Sequence, residues 1–157
     1  MGIHVDDTLQ TSVPGIFAAG DGAESRDWLT GERFVHAIFP NAVAEGEIAA
    51  SNLLGANLKY DGAESMNSLK HLGIPIVAMG TTDEPDEVLR WESGSALRSV
   101  YLRNDTIIGA QLAGNIQAAG VYRSLMLRRA DVSSFGRGLV EPGFSMGSVV
   151  WDALVAS

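Results

Sequence analysis

Cysteine is missing altogether from the 157-residue sequence, which excludes disulfide staples, thiol nucleophiles, CxxC redox pairs and thiolate metal sites within this chain. Basic residues are few: 11 Lys and Arg stand against 19 Asp and Glu, a formal net charge of −8. A nucleic acid or an anionic membrane exchanges counterions for a basic patch, so neither is an expected partner. Long apolar runs are lacking too. The best candidate, Ile74 to Met79, falls far short of the ~20 residues that span a bilayer. No basic region followed by an apolar stretch opens the sequence, so no secretory signal is expected and a cytoplasmic protein is the default. The 3 histidines, His4, His36 and His71, are widely spaced, and His4 beside Asp6 and Asp7 reads as a solvated strand edge, so no metal site is expected.

What is present is an ordinary globular composition, 46% hydrophobic and 19% charged, able to bury a core. The length fits one domain, or a small domain plus part of another. Glycine is abundant, at 18 residues, which suggests tight turns and close backbone approaches.

A polar stretch from Asn57 to Glu64 divides the chain, and residues 1–55 and 56–157 are expected to belong to different domains. In the first part, Ile3 and Val5 alternate with polar residues as in a short strand. Ile16 to Ala19 reads as a buried parallel strand ending at Gly20-Asp21-Gly22, and Glu24 to Glu32 as a polar loop. Pro40 and Asn41 open a helix that Ala42 to Leu54 fill and Gly55 ends. In the second part, Ile74–Met79, Val88–Glu92, Leu97–Arg103 and Thr106–Leu112 are strand candidates, the last two joined by an Asn104-Asp105 hairpin turn. A helix is expected from an Asn115 N-cap to about Arg129. Met146, Val149, Val150, Ala153 and Leu154 line one face of a final helix, with Ser145 as its cap. The first part is thus an α/β segment, and the second is α+β, an antiparallel sheet with flanking helices.

The chemistry concentrates around Asp21. A strand that ends at a sheet's carboxyl edge, followed by small residues, delivers backbone to the place where open α/β folds bind ligands. The Asp21 carboxylate can accept hydrogen bonds from the hydroxyls of a polyol, and the helix start at Pro40-Asn41 offers free N–H groups and partial positive charge. A flavin suits both features, through its ribityl chain and the negative charge of its reduced pyrimidine edge. The plainer alternative is that Asp21 caps a turn and Gly20 is a turn glycine. His36 near the helix is read as a packing or solvated residue rather than a flavin contact. Trp28, Trp91 and Trp151 are read as core or interface residues, and Asp83 to Glu87 as a solvated loop.

Thr11-Ser12-Val13-Pro14-Gly15-Ile16-Phe17-Ala18-Ala19-Gly20-Asp21 resembles T-S-x-P-x-I-[FY]-A-x-G-D, the second FAD fingerprint of the pyridine nucleotide–disulfide oxidoreductases. Gly2-Ile3-His4-Val5-Asp6 before it and Ala49-Ala50-Ser51-Asn52-Leu53-Leu54-Gly55 after it are similar to the family's flanking runs. Ile107-Ile108-Gly109-Ala110-Gln111-Leu112-Ala113-Gly114 resembles a strand of its C-terminal interface domain, and Asn67 to Gly80 resembles that domain's opening in the rubredoxin reductase, nitrite reductase and NADH oxidase branch.

The resemblance implies that residues 1–55 complete a Rossmann-like FAD-binding domain and 56–157 form an interface, or dimerisation, domain. It implies that Asp21 meets the ribityl hydroxyls and Gly20 makes room for them. Phe39, Pro40, Asn41 and Ala42 would face the pyrimidine edge, Phe39 through its backbone N–H alone. The family's G-x-G-x-x-G for the FAD pyrophosphate does not occur in this sequence, nor does a domain for NAD(P)H, so no catalytic residue is expected here. The resemblance implies that the full enzyme passes electrons from NAD(P)H through FAD to a disulfide, a small redox protein or oxygen. The implied partners are the remainder of the flavoenzyme, a second copy in a homodimer and such a redox protein. The alternative is an interaction module or separate subunit that keeps the fold without binding flavin.

Overall fold

The computed structural model describes residues 1–70 and 73–155, with side chains up to Trp151. His71 lies outside the described residues. The chain forms two compact units, Met1–Ser65 and Met66–Ser157.

The first unit carries a three-stranded sheet, β1 (Ile3–His4), β2 (Ala23–Arg26) and β3 (Arg33–Val35), in that order. Strand β1 runs parallel to β2, and β3 antiparallel to it. The stretch expected to be a polar loop is therefore a hairpin. Its alternation is built from small and polar residues: Ala23, Ser25 and Asp27 are buried while Glu24 and Arg26 are half-buried. Asp27 then makes the turn, its Oδ1 accepting the N–H groups of Leu29 and Thr30 at 2.9 and 2.8 Å.

Ile16 to Ala19 do not form the expected buried strand. Phe17 makes an isolated antiparallel bridge with Gln10, and Ile16 is 54% exposed. The cause is a local reversal: Thr11 N–H donates to Ile16 O at 2.8 Å and Ala18 N–H to Leu9 O at 3.1 Å. Backbone groups that a parallel neighbour would use are drawn into this turn.

Helix α1 (Phe39–Leu53) starts one residue before the expected Pro40 and ends as Gly55 predicts. Gly55, at φ +88, donates to Asn52 O at 3.0 Å, and Ala56 donates to Ser51 O at 3.1 Å. This is a Schellman closure, which needs the left-handed conformation that glycine adopts without strain. The polar stretch beyond Gly55 stays with the first unit. Tyr60 N–H donates to Asp7 O at 2.7 Å, Ala63 bridges Asp27, and both side chains join a core of Val5, Leu9, Ala23 and Ala49. Backbone pairing, the Asn52 side chain bonded to both backbone groups of Leu58 and these two buried side chains hold the polar run down.

The second unit is a five-stranded antiparallel sheet, β4 (Met66–Leu69), β5 (Ile76–Gly80), β6 (Glu87–Ser93), β7 (Ala96–Arg103) and β8 (Thr106–Ala113), in the order β4-β5-β8-β7-β6. The expected hairpin at Asn104-Asp105 is present, with φ of 48° and 55°, the pair of positive values that a type I′ turn needs. Helix α2 (Ala119–Leu127) buries Tyr122, Leu125 and Met126, and the sheet contributes Val100, Ile107, Ala110 and Leu112 to the core.

Asn115 is not the N-cap of α2, as was expected. Its Oδ1 accepts Gln117 N–H at 3.2 Å in a preceding turn, and the cap position falls to Ala118. Arg98 is fully buried. Its Nη1 donates to Glu141 O at 2.7 Å, fastening the 3₁₀ segment Ser133–Val140 at its C-terminal end, and its guanidinium lies 5.9 Å from the Trp91 ring centroid.

The last helix, α3 (Met146–Val155), follows the expected range. Of its expected apolar face, Met146 and Val150 are exposed, while the side chains of Ala153 and Leu154 lie outside the described residues. Trp151, read as core or interface, is 70% exposed. No helix among the described residues is long and apolar enough to cross a membrane.

Candidate flavin-contact site

Gly20 and Asp21 open a 3₁₀ turn, Gly20–Gly22, that leads directly into β2. Gly20 has φ +74, and a Cβ there would stand 3.4 Å from the Cβ of Ala42. The turn and the first turn of α1 therefore abut, which brings the sequence-predicted glycine, carboxylate and helix start together. Asp21 is exposed on this turn.

At the helix start the N-cap, Ile38, has no side chain able to cap. Ala42 N–H makes the first helical bond, to Ile38 O at 3.2 Å, and Pro40 has no N–H. Among the described residues no acceptor meets the N–H groups of Phe39 and Asn41, so a ligand can. The side chain of Asn41 is taken up internally: Nδ2 donates to Glu64 O at 2.9 Å, and Oδ1 accepts Glu64 N–H at 3.1 Å. Phe39 is 81% exposed. What the helix start presents is backbone, with an apolar ring beside it.

Beneath the turn lies a residue that the sequence reading did not single out. Glu45, only 2% exposed, accepts Gly20 N–H at 2.7 Å on Oε2 and Ser25 Oγ–H at 2.6 Å on Oε1. A signal was available. Asn41, Glu45 and Ala49 are one helical repeat apart and are the buried positions of α1, so two of three residues on its inward face are polar. Polar side chains on a buried face require partners inside.

A second polar group adjoins this one. Asp27 Oδ2 accepts Ser65 Oγ–H at 2.9 Å and stands 3.6 Å from His36 Nε2. His36 is buried edge-on against Phe34, ring centroids 3.9 Å apart, as the packing reading expected. Burial lowers its pKa from 6.5, against the opposing pull of the Asp27 and Glu45 carboxylates. Burial, and then the Glu45 charge, raise the pKa of Tyr60.

The His36 shift has a stability consequence. Because the folded-state value is depressed, the unfolded chain binds the proton more tightly, so stability is complete above pH ~6.5 and is lost as pH falls through the folded value. The first unit should lose urea resistance below pH ~6.5, and His36→Gln should flatten that slope. An unchanged slope in His36→Gln would assign the acid sensitivity to other groups.

Elsewhere in this unit, a surface cavity of about 230 Å³ is lined by Thr8, Gln10, Phe17, Asn52, Gly55 and Asn57. It shares no residue with the flavin-contact positions, and no charged side chain lines it. Among the described residues there is no cluster of His, Asp and Glu able to hold a metal ion.

No protein-family model matches the chain, but individual proteins do. The epsilon subunit of NADH-dependent phenylglyoxylate dehydrogenase from Aromatoleum evansii is 28% identical over 153 residues, which is 93% of this chain and 36% of that protein. The NAD(P)H coenzyme A polysulfide/persulfide reductase of Pyrococcus horikoshii is 30% identical over 104 residues, 66% of this chain and 22% of that protein. Among solved structures, the covalent putidaredoxin reductase–putidaredoxin complex matches with a TM-score of 0.78 over 97% of this chain and 36% of that one, at 20% identity. At that identity the likeness speaks for fold alone. The chain thus spans little more than a third of the length of these relatives, or less. Its homologues and structural neighbours are pyridine nucleotide–disulfide oxidoreductases, and it corresponds to a C-terminal-like part of those larger proteins.

Proposed function

We propose that this chain supplies the ribityl and pyrimidine contacts of an FAD site, together with an interface domain, in an NAD(P)H oxidoreductase. The observation that carries the reading is the abutment of the Gly20–Asp21 turn on the first turn of α1, 3.4 Å from the Gly20 Cβ position to Ala42. One place thereby offers an exposed carboxylate, a glycine that leaves backbone accessible, and the Phe39 and Asn41 N–H groups. FAD fits these groups: Asp21 would accept hydrogen bonds from ribityl hydroxyls, and the helix start would face the pyrimidine edge, where the N-terminal partial charge favours the anionic reduced ring. Pro40 and Ala42 shape that edge without donating or accepting through their side chains.

FAD when bound supplies electron transfer, taking a hydride from NAD(P)H and passing electrons to an acceptor. This chain orients the flavin. In the complete protein, residues 1–65 would finish a Rossmann-like FAD-binding domain and 66–157 would be the interface domain, the break falling after the polar stretch rather than at the expected residue 55, with a homodimer as the assembly. The name of one relative, a coenzyme A polysulfide/persulfide reductase, and a neighbour crystallised with its redox partner support an acceptor that is a sulfur compound or a small redox protein, and the name of another, a subunit, supports association with other chains. Pyrophosphate binding falls to sequence outside this chain, so the chain alone should hold FAD weakly.

Asp21→Ala tests the reading. Losing hydrogen bonds to a charged acceptor costs about 1.5–3 kcal/mol, so FAD affinity measured by flavin fluorescence should fall roughly tenfold or more. Asp21→Ala binding FAD as tightly as the wild type would remove the carboxylate from the site.

A further inference from the structure

We propose that Glu45 is the positioning residue of this site: its buried carboxylate holds the Gly20–Asp21 turn in the conformation that presents backbone and the Asp21 carboxylate to the flavin. The inference rests on the flavin-contact reading for its functional half, and on geometry alone for the rest. Gly20 sits at φ +74, where the chain reverses into β2, and a glycine in an exposed turn has many conformations open to it. Something must select one. The Gly20 N–H donates to Glu45 Oε2 at 2.7 Å, a side chain 25 positions away in the sequence and on a different element. The other oxygen, Oε1, is fixed by Ser25 Oγ–H at 2.6 Å, so the carboxylate cannot swing away from the turn without abandoning a second buried donor.

The three anchoring points have a common logic. Ser25 lies on β2, Gly20 on the turn before it, and Glu45 on the inward face of α1, one helical turn beyond Asn41 and close to Ala42. One carboxylate therefore ties the turn, the strand and the helix whose start faces the same ligand. An apolar residue would suffice if this position only filled the core, as its helical neighbour Ala49 does. A carboxylate brought in at 2% exposure carries a desolvation cost that only its two hydrogen bonds offset. The Oε2 bond is to backbone at a conformationally free residue, where side-chain packing has no hold.

The test compares Glu45→Gln and Glu45→Ala with the wild-type chain, reading Gly20 amide exchange by NMR and FAD affinity by titration. Glu45→Ala should accelerate Gly20 exchange by roughly tenfold or more, the loss of one charge-assisted hydrogen bond, and weaken FAD binding by a similar factor. Glu45→Gln keeps an amide oxygen for Gly20 N–H and should recover most of both. A purely structural role would instead raise exchange across α1 and the core, including Ala49, and Gln would rescue stability without singling out Gly20. Gly20 exchange unchanged in Glu45→Ala, or raised only together with Ala49, overturns the positioning role. If the wild type shows no FAD response while Gly20 exchange follows Glu45 as stated, the clamp stands and the flavin-contact reading is what fails.

Discussion

Replacing Gly80 by alanine should unfold much of the second unit's stability, lowering its calorimetric melting temperature by more than about 10 °C. Gly80 lies at the end of β5 with φ +67, and a Cβ there would come within 2.1 Å of Ile108 O and 3.0 Å of Gly109 Cα. Both obstacles are backbone of β8, which cannot rotate aside as a side chain could. The same carbonyl accepts Thr81 N–H at 2.9 Å, so backing the strands apart also breaks that bond. The left-handed conformation alone costs an alanine about 1–2 kcal/mol, and the clash and lost pairing bring the expected total to roughly 3–5 kcal/mol. Gly109, opposite it in the ladder, is closed in equally, with Thr81 O at 2.0 Å from its Cβ position. Gly94→Ala separates the two contributions. Its φ of +57 is as strained, but nothing lies within 4 Å, so it should show only the conformational cost. Equal losses in Gly80→Ala and Gly94→Ala would mean that the close strand approach contributes nothing.

The second large effect is expected at Asp27 in the first unit. Its carboxylate is only 2% exposed and accepts Leu29 N–H, Thr30 N–H and Ser65 Oγ–H, closing the β2–β3 hairpin and fastening the end of the unit onto it. Asp27→Ala strands these donors at once and removes the negative charge facing His36. An unmet buried donor costs about 1–3 kcal/mol, so a loss of roughly 3 kcal/mol or more is expected, read by urea unfolding through the fluorescence of Trp28. Asp27→Asn keeps one oxygen and should lose about half as much. A loss below about 0.5 kcal/mol in Asp27→Ala, the range of an ordinary surface change, would contradict this account of the hairpin.

How far the sequence foretold these features depends on where each element's cause lies. The Asn104-Asp105 hairpin and the Gly55 helix end are governed by local backbone chemistry, and both occur at the residues expected. Strands β7 and β8 were legible because long alternating or apolar runs flank that turn. Strands β2 and β3 were not, since Ala23, Ser25 and Asp27 are inward-facing yet small or polar, and the hairpin is closed by Asp27 hydrogen bonds rather than by apolar burial. Ile16 to Ala19 misled for the opposite reason: the run is apolar, but whether it pairs depends on neighbours a local reading does not see. At the site, the glycine, the Asp21 carboxylate and the helix start were all visible as residue types at suggestive positions. Their abutment through Ala42, and the Glu45 carboxylate below them, arise from tertiary packing of α1 on the turn. That Asn41 spends its side chain on the Glu64 backbone was equally beyond the local pattern.

FAD titrated into the isotopically labelled chain, with every backbone amide followed by NMR, addresses the flavin-contact claim most directly, because even millimolar binding leaves a map of where the ligand sits. The account predicts saturable shifts at Gly20, Asp21 and Gly22 and at Phe39, Asn41 and Ala42, with the sheet of the second unit unperturbed. Shifts confined to the second unit, or none at any of these amides at millimolar FAD, would contradict it.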